Sequence, residues 1–182
     1  DSMKEHGAWQ LAETLSREAS LFAFGVPPSE ILNDPFFIAA VSPEALKQLR
    51  SPERQAAIAA GQHFHDLPQF LETAKANLKR LSDAGVKYGF GTDSGPPGRF
   101  AGYFSHWELK LMVDSGFTPD QAIVAATSTA AEFLGADDLG TLKPGNWADL
   151  IVLDDDPLAD ITNSRSIVAV YIAGERAPSV QP

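Results

Sequence analysis

The chain has 182 residues, 44% of them hydrophobic and 21% charged, the balance of an ordinary globular protein. A net charge of −10 and a pI near 4.7 argue against binding nucleic acid or an anionic membrane, and no apolar run approaches the ~20 residues that span a bilayer. Without cysteine there is no disulfide, thiolate nucleophile or Cys-ligated zinc; the compartment stays open.

Asp1-Ser2-Met3-Lys4-Glu5-His6 has no apolar core segment, so it is not a signal peptide. It reads as the middle of a helix, and the chain is therefore expected to continue a longer protein. Trp9 to Thr14 reads as a strand, with Leu15-Ser16-Arg17-Glu18 at its end. From Phe22 to Pro68 the prolines Pro27, Pro28, Pro35, Pro43 and Pro52 forbid one long helix but permit short ones, such as Ser42 to Leu49 with Pro43 in its first turn. A connection that long and irregular is often a functional lid.

Leu67 to Ala84 is an amphipathic helix: Phe70, Leu71, Ala74, Leu78 and Leu81 recur at helical spacing, and Asp83-Ala84-Gly85 stops it. A strand, Val86 to Gly91, follows at once. Gly95 to Gly102 is a glycine- and proline-rich loop, and a helix covers roughly His106 to Ser115. Thr118-Pro119-Asp120-Gln121 then opens another helix with a cap, a first-position proline and a capping box, which ends at Leu134-Gly135. Beyond it the pattern changes. Leu142 to Asn146 is a turn, and Ala148 to Leu153 and Ile167 to Ala173 are strands with no helix between them. The body reads as parallel α/β and the tail as a small β unit.

The stretch Tyr88-Gly89-Phe90-Gly91-Thr92-Asp93-Ser94-Gly95 carries most of the functional information. Strand alternation sends Val86, Tyr88 and Phe90 one way, and Lys87, Gly89, Gly91 and Asp93 the other. The bulky set suits packing against helices, and the glycine set leaves open space before Asp93. Two readings of this carboxylate stand: a metal ligand or catalytic acid at the end of a barrel strand, or a turn residue capping the next segment.

Phe90-Gly-Thr-Asp-Ser-Gly95, His106-Trp-Glu-Leu-Lys-Leu-Met-Val113, Gly116-Phe-Thr-Pro119, Ala125-Ala-Thr127, Leu139-Gly-Thr-Leu-Lys-Pro-Gly145, Trp147-Ala-Asp-Leu-Ile-Val-Leu153 and Tyr171-Ile-Ala-Gly174 form an ordered series. Together they resemble the C-terminal part of the amidohydrolase superfamily, near its imidazolonepropionase-like and Xaa-Pro dipeptidase-like branch. The resemblance is densest from about Asn77 to Gly174. It implies an α/β chain: the C-terminal part of a (β/α)8 TIM-type barrel, about strands 7 and 8 with their helices, over residues 1–137. Residues 138–182 would be the C-terminal share of a small β-sandwich. Trp9 to Thr14 would be the seventh strand, and Val86 to Gly91 the eighth.

The resemblance also implies a divalent metal, zinc before others, as one or two ions, with Asp93 as both metal ligand and proton shuttle in hydrolysis of an amide, cyclic amide or dipeptide-like substrate. The family's His-x-His pair, its bridging lysine or glutamate and its two later histidines are not in this chain. They are expected upstream of residue 1, in the missing N-terminal part of the same barrel. The alternative is a non-catalytic fragment or accessory subunit that needs a partner chain for those ligands. A homo-oligomer is left open.

Other candidates have two readings each. Arg17 past the first strand would clamp a substrate carboxylate or pair with Glu18 or Glu13 on the surface. Ser94, Arg99, Phe100 and Tyr103, on the loop after Asp93, are candidates to line a substrate pocket. His106 would contact substrate, or cap and pack its helix. His63-Phe64-His65 imitates a metal-binding pair but has no strand leading into it, and reads as solvated or as a helix cap.

Overall fold

The computed structural model describes residues 2–11, 14–25, 29–95 and 99–178, with the backbone alone for residues 14, 17, 18, 21 and 22. A short helix α1 (Ser2–Glu5) leads into strand β1 (Trp9–Leu11), which pairs in parallel with β2 (Lys87–Gly89). Trp9 lies opposite Lys87, and Leu11 opposite Gly89. A side chain at Gly89 would meet Leu11 Cδ2 at 2.8 Å, so this register favours glycine at that position. The glycine face read from sequence as open space is thus filled by Leu11 at this point. The bulky face behaves as expected. Val86 is buried, Tyr88 meets Phe117 edge-on at 5.0 Å, and Phe90 joins the same core.

The parallel pair is joined by a helical crossover. It starts with α2 (Thr14–Gly25), where the sequence suggested only the end of a strand. Leu15, Ser16, Ala19, Ser20 and Phe24 of α2 are all buried. The small residues among them let α2 lie close against α5 (Pro52–Ala59), α6 (Leu67–Asp83) and α7 (Tyr103–Asp114). Its first turn is held from α7: the fully buried Glu108 accepts the Ser16 amide on Oε2 at 2.7 Å, a carboxyl acceptor for one free donor of a helix N-terminus.

The proline-rich stretch is built of short helices rather than irregular chain. α3 (Pro35–Ala40), α4 (Pro43–Leu49) and α5 each begin with a capping residue followed by proline. Asp34, Ser42 and Ser51 accept the amides of Phe36, Ala45 and Arg54 at 2.9, 3.2 and 3.1 Å, which gives one free donor of each first turn an acceptor. These helices enclose their own core of Phe24, Ile31, Leu32, Phe37, Val41 and Leu49, completed by Tyr103 and Phe104. A second core joins Leu15, Leu78, Leu109, Met112 and Phe117. α7 lies between the two and contributes to both. It begins three residues earlier than the sequence suggested, directly after Gly102 at φ 83°.

The helix expected from Thr118 to Leu134 is present but not uniform. α8 (Pro119–Val124) widens into a π-helical turn over Ala125–Thr129 before α9 (Ala130–Leu134), and Gly135 at φ 67° ends it. Gly140 lies against this turn so closely that a Cβ would sit 2.6 Å from the Thr127 carbonyl oxygen. The tail follows as an antiparallel meander, β3 (Leu150–Leu153), β4 (Ile167–Ile172) and β5 (Glu175–Arg176). Ala173 and Gly174, at φ 53° and 81°, make the tight turn between the last two. A 3-10 turn at Ile161–Arg165 buries Ile161 in the core shared with α7.

Candidate functional site

Asp93 lies four residues beyond the C-terminal end of β2, with its backbone at φ 48° and its side chain 46% exposed. Aspartate is one of the few residues that accept this left-handed conformation at modest cost. Its Oδ2 forms an ion pair with Arg99 Nη1. The Gly95 amide donates to the Arg99 carbonyl oxygen at 3.2 Å, and the hydroxyls of Thr92 and Ser94 are 2.8 Å apart. Asp93, Ser94 and Arg99 are therefore brought together on one short loop, of which residues 96–98 lie outside the described residues.

Catalytic zinc takes about three protein ligands. Among the described residues no group of three or more His, Asp and Glu side chains converges. Asp93 fits as one carboxylate donor only, and its pair with Arg99 competes for the same oxygen. His63 and His65 do not join it. Both are exposed, His63 lies 3.8 Å from Asp66 and His65 packs against Phe64. Arg17 is on the backbone of α2, and its side chain lies outside the described residues.

Tyr103 and His106 belong to a different cluster, which no local motif announces. Tyr103 is the first residue of α7 rather than a loop residue, and is buried. Its hydroxyl donates to Asp34 Oδ2 at 3.0 Å, and Arg165 Nη1 donates to the same oxygen at 2.9 Å. The Arg165 guanidinium also sits 5.2 Å from the centre of the Phe36 ring and 5.0 Å from that of Tyr103, within reach of cation–π attraction. His106 meets Phe36 edge-on at 5.2 Å and places Nδ1 2.9 Å from Ser164 Oγ.

The electrostatics follow from these contacts. Burial pushes the Asp34 carboxyl up, but the Phe36 amide, the Tyr103 hydroxyl and Arg165 outweigh it and leave it below its usual value. Burial, then the hydrogen bond and charge of Asp34, push the Tyr103 phenol up to about 12. Burial and then the Arg165 charge lower the His106 imidazole. A cavity of about 480 Å³ opens beside this cluster, lined by residues from the 23–34 segment, α7 and the 162–165 turn. Neither Asp93 nor Arg99 lines it. Arg165 and Asp34 are 131 positions apart; the one local signal for either is the Asp-Pro helix start.

Residues 30–177 match the model of the amidohydrolase family. Imidazolonepropionase from Streptomyces avermitilis is 38% identical over 78 residues, which cover 43% of this chain and 19% of that protein. The Deinococcus deserti imidazolonepropionase is 36% identical over 102 residues, 54% of this chain and 25% of that protein. The chain thus spans about a fifth to a quarter of the curated relatives it matches. A solved Xaa-Pro dipeptidase with bound methionine superimposes over 97% of this chain and 36% of its own, with a TM-score of 0.59 and 24% identity. The Aspergillus niger ochratoxinase does so over 95% and 32%, with a TM-score of 0.57 and 26% identity. The chain belongs to the amidohydrolase family.

Proposed function

We propose that these residues form part of a metal-dependent amidohydrolase that cleaves a C–N bond in an amide, cyclic amide or dipeptide-like substrate. The observation that carries this reading is Asp93, a half-exposed carboxylate beyond the C-terminal end of a parallel strand, the face on which barrel enzymes assemble their sites. Relatives named imidazolonepropionase and Xaa-Pro dipeptidase support a C–N hydrolase. In this reading β1 and β2 are barrel strands seven and eight, residues 1–137 belong to the barrel, and residues 138–182 to the sandwich.

A bound divalent metal, zinc as one or two ions, would activate water and polarise the scissile carbonyl. The chain's own residues do the rest. Asp93 would be one ligand of that metal, and would take the proton of the attacking water and return it to the leaving nitrogen. Arg99, which pairs with Asp93, would offer its guanidinium to a substrate carbonyl or carboxylate. Ser94 is held beside them by Thr92 and offers a hydrogen bond to the same substrate group. The other metal ligands come from outside the described residues.

A second reading, a piece that is inactive until another chain segment completes it, is favoured by the tail sheet. Ile151, Val168 and Ile172 are each more than half exposed on it, apolar surface that a further chain segment would cover. Two measurements test these readings. In the protein that carries this sequence, Asp93→Asn is expected to remove nearly all turnover with the fold intact; wild-type-like turnover in a fully metallated mutant would overturn the assignment. The isolated 182-residue chain is expected to bind no stoichiometric zinc; if it does, the account of its ligands fails.

A further inference from the structure

Arg99 and Phe100 are neighbours in sequence whose side chains lead to different places. Arg99, 18% exposed, pairs with Asp93. Phe100 packs against the core of the proline-rich helices: its ring meets that of Phe37 edge-on at 5.5 Å and that of Phe104 at 6.5 Å. Phe37 belongs to α3 and is fully buried. The backbone of the two neighbours is also held from both sides. The Arg99 carbonyl accepts the Gly95 amide at 3.2 Å, and the Phe100 carbonyl accepts the Phe104 amide, in the first turn of α7, at 3.3 Å. We propose that Phe100, seated on Phe37, is a positioning residue that holds the Arg99 guanidinium at Asp93. The proposal rests on the reading of Asp93 and Arg99 as site residues, and names the part of the fold that sets where Arg99 stands.

A partly exposed ion pair gains little net free energy, because the long arginine side chain gives up its rotamer freedom to keep one geometry. An arginine on a loop is therefore placed mainly by its backbone. Here that backbone is anchored by a ring, whose edge-to-face contact is directional as well as apolar. Arg99 and Phe100 share one planar peptide unit, so a displacement of the ring carries Arg99 with it. Phe37 is itself fixed by Phe24 of α2 at 6.1 Å and by Tyr103 of α7 at 4.9 Å. Three helices thus bear on the seat of Phe100. This gives the proline-rich stretch a part in the site: it supports the group that would meet a substrate carbonyl or carboxylate.

The test follows the reaction of phenylglyoxal with Arg99 in the folded protein that carries this sequence, read by mass spectrometry as the rate at which the unmodified Arg99 peptide disappears. Asp93→Asn, which removes the charged partner, is expected to raise that rate and sets the scale for a freed Arg99. Phe100→Ala is expected to raise it about threefold or more, as the loss of an aromatic pair implies. Phe37→Leu, which keeps most of the buried volume but not the ring, is expected to raise it as well. Phe100→Tyr, which keeps the ring, is expected to react as wild type does. Leu49→Ala opens the same core at the end of α4, and is expected to lower the melting temperature without changing the rate. The proposal is overturned if Phe100→Ala and Phe37→Leu react at the wild-type rate, if Phe100→Tyr reacts as fast as Phe100→Ala, or if Leu49→Ala raises the rate as much as they do. In each of those cases the ring only fills the core. It is equally overturned if Asp93→Asn leaves the rate unchanged, because the pair then does not form in solution. Turnover does not enter the measurement, so failure of the proposed hydrolysis and failure of the positioning role are read separately.

Discussion

Asp93 and Asp34 have the same side chain in opposite circumstances. Asp34 Oδ1 caps α3 through the Phe36 amide, while Oδ2 takes the Tyr103 hydroxyl and the Arg165 guanidinium. Three of its roughly four acceptor positions are used, and its side chain is only 23% exposed. Asp93 stands on a short loop in a left-handed backbone conformation with one ion-pair partner, Arg99, and twice the exposure. A carboxylate engaged by its own protein fixes structure. One left accessible at the end of a strand keeps its oxygens available for chemistry.

The largest expected effect tests the second half of that contrast. Asp93→Asn in the protein that carries this sequence should lower turnover by about 10²–10⁴, the range for losing a positioned acid–base group. Its melting temperature should barely change, because exposed substitutions shift stability by about 0.5 kcal/mol or less. A stability loss as large as that of Asp34→Ala would erase the distinction between the two aspartates.

Asp34→Ala should do the reverse. It removes a helix cap, worth about 1 kcal/mol, and leaves Arg165 and Tyr103 without their acceptor, so a total loss of about 3 kcal/mol is expected in denaturant unfolding. The lowered Asp34 value adds a pH signature: its contribution is present above the ordinary 3.8 and disappears as pH falls through the folded-state value. Asp34→Asn should flatten that acid limb. An unchanged acid limb would mean that Arg165 does not hold the carboxylate in solution.

The same contrast explains what was legible in the sequence. The α6–β2 unit with Asp93 was readable because its signals are local: an amphipathic period, a stop at Gly85, and a short apolar strand. α2 was not, because it is buried among three other helices and carries Ser16, Ala19 and Ser20 inward. That removes the polar-apolar alternation by which a surface helix is recognised. The short helices of the proline-rich stretch have a local signal, the repeated Asp-Pro and Ser-Pro starts at Asp34, Ser42 and Ser51. The Asp34–Tyr103–Arg165 cluster had almost none, since its members meet only when the tail turn folds back onto α7. The sequence reading places Tyr103 on the loop after Asp93 and gives His106 a substrate contact or a capping and packing role; the contacts of both lead to this cluster.

Tyr103 sharpens the comparison at alkaline pH. Its phenol, pushed up to about 12 from the ordinary 10.0, holds its proton more tightly in the folded state. That contribution is complete below about pH 10 and is lost as pH rises towards 12. Tyr103→Phe should cost about 1 kcal/mol at neutral pH and lack the alkaline step. A step of equal size in the variant would assign it to other groups.

The smallest effect decides what His106 does. Its imidazole titrates below the ordinary 6.5, first because it is buried and then because Arg165 is near. A lowered value means that the folded protein binds the proton less readily than the unfolded chain. The contribution is therefore present above about pH 6.5 and lost as pH falls through the folded-state value. If His106 packs α7 against Phe36 and Ser164, His106→Gln should remove this mild acid sensitivity, with a change below about 1 kcal/mol at pH 7 and little effect on KM. If it also contacts substrate, KM should rise as well. Measuring both quantities on one variant separates the two roles, because the positions of Ser164 and Phe36 predict the first and the sequence pattern allowed the second.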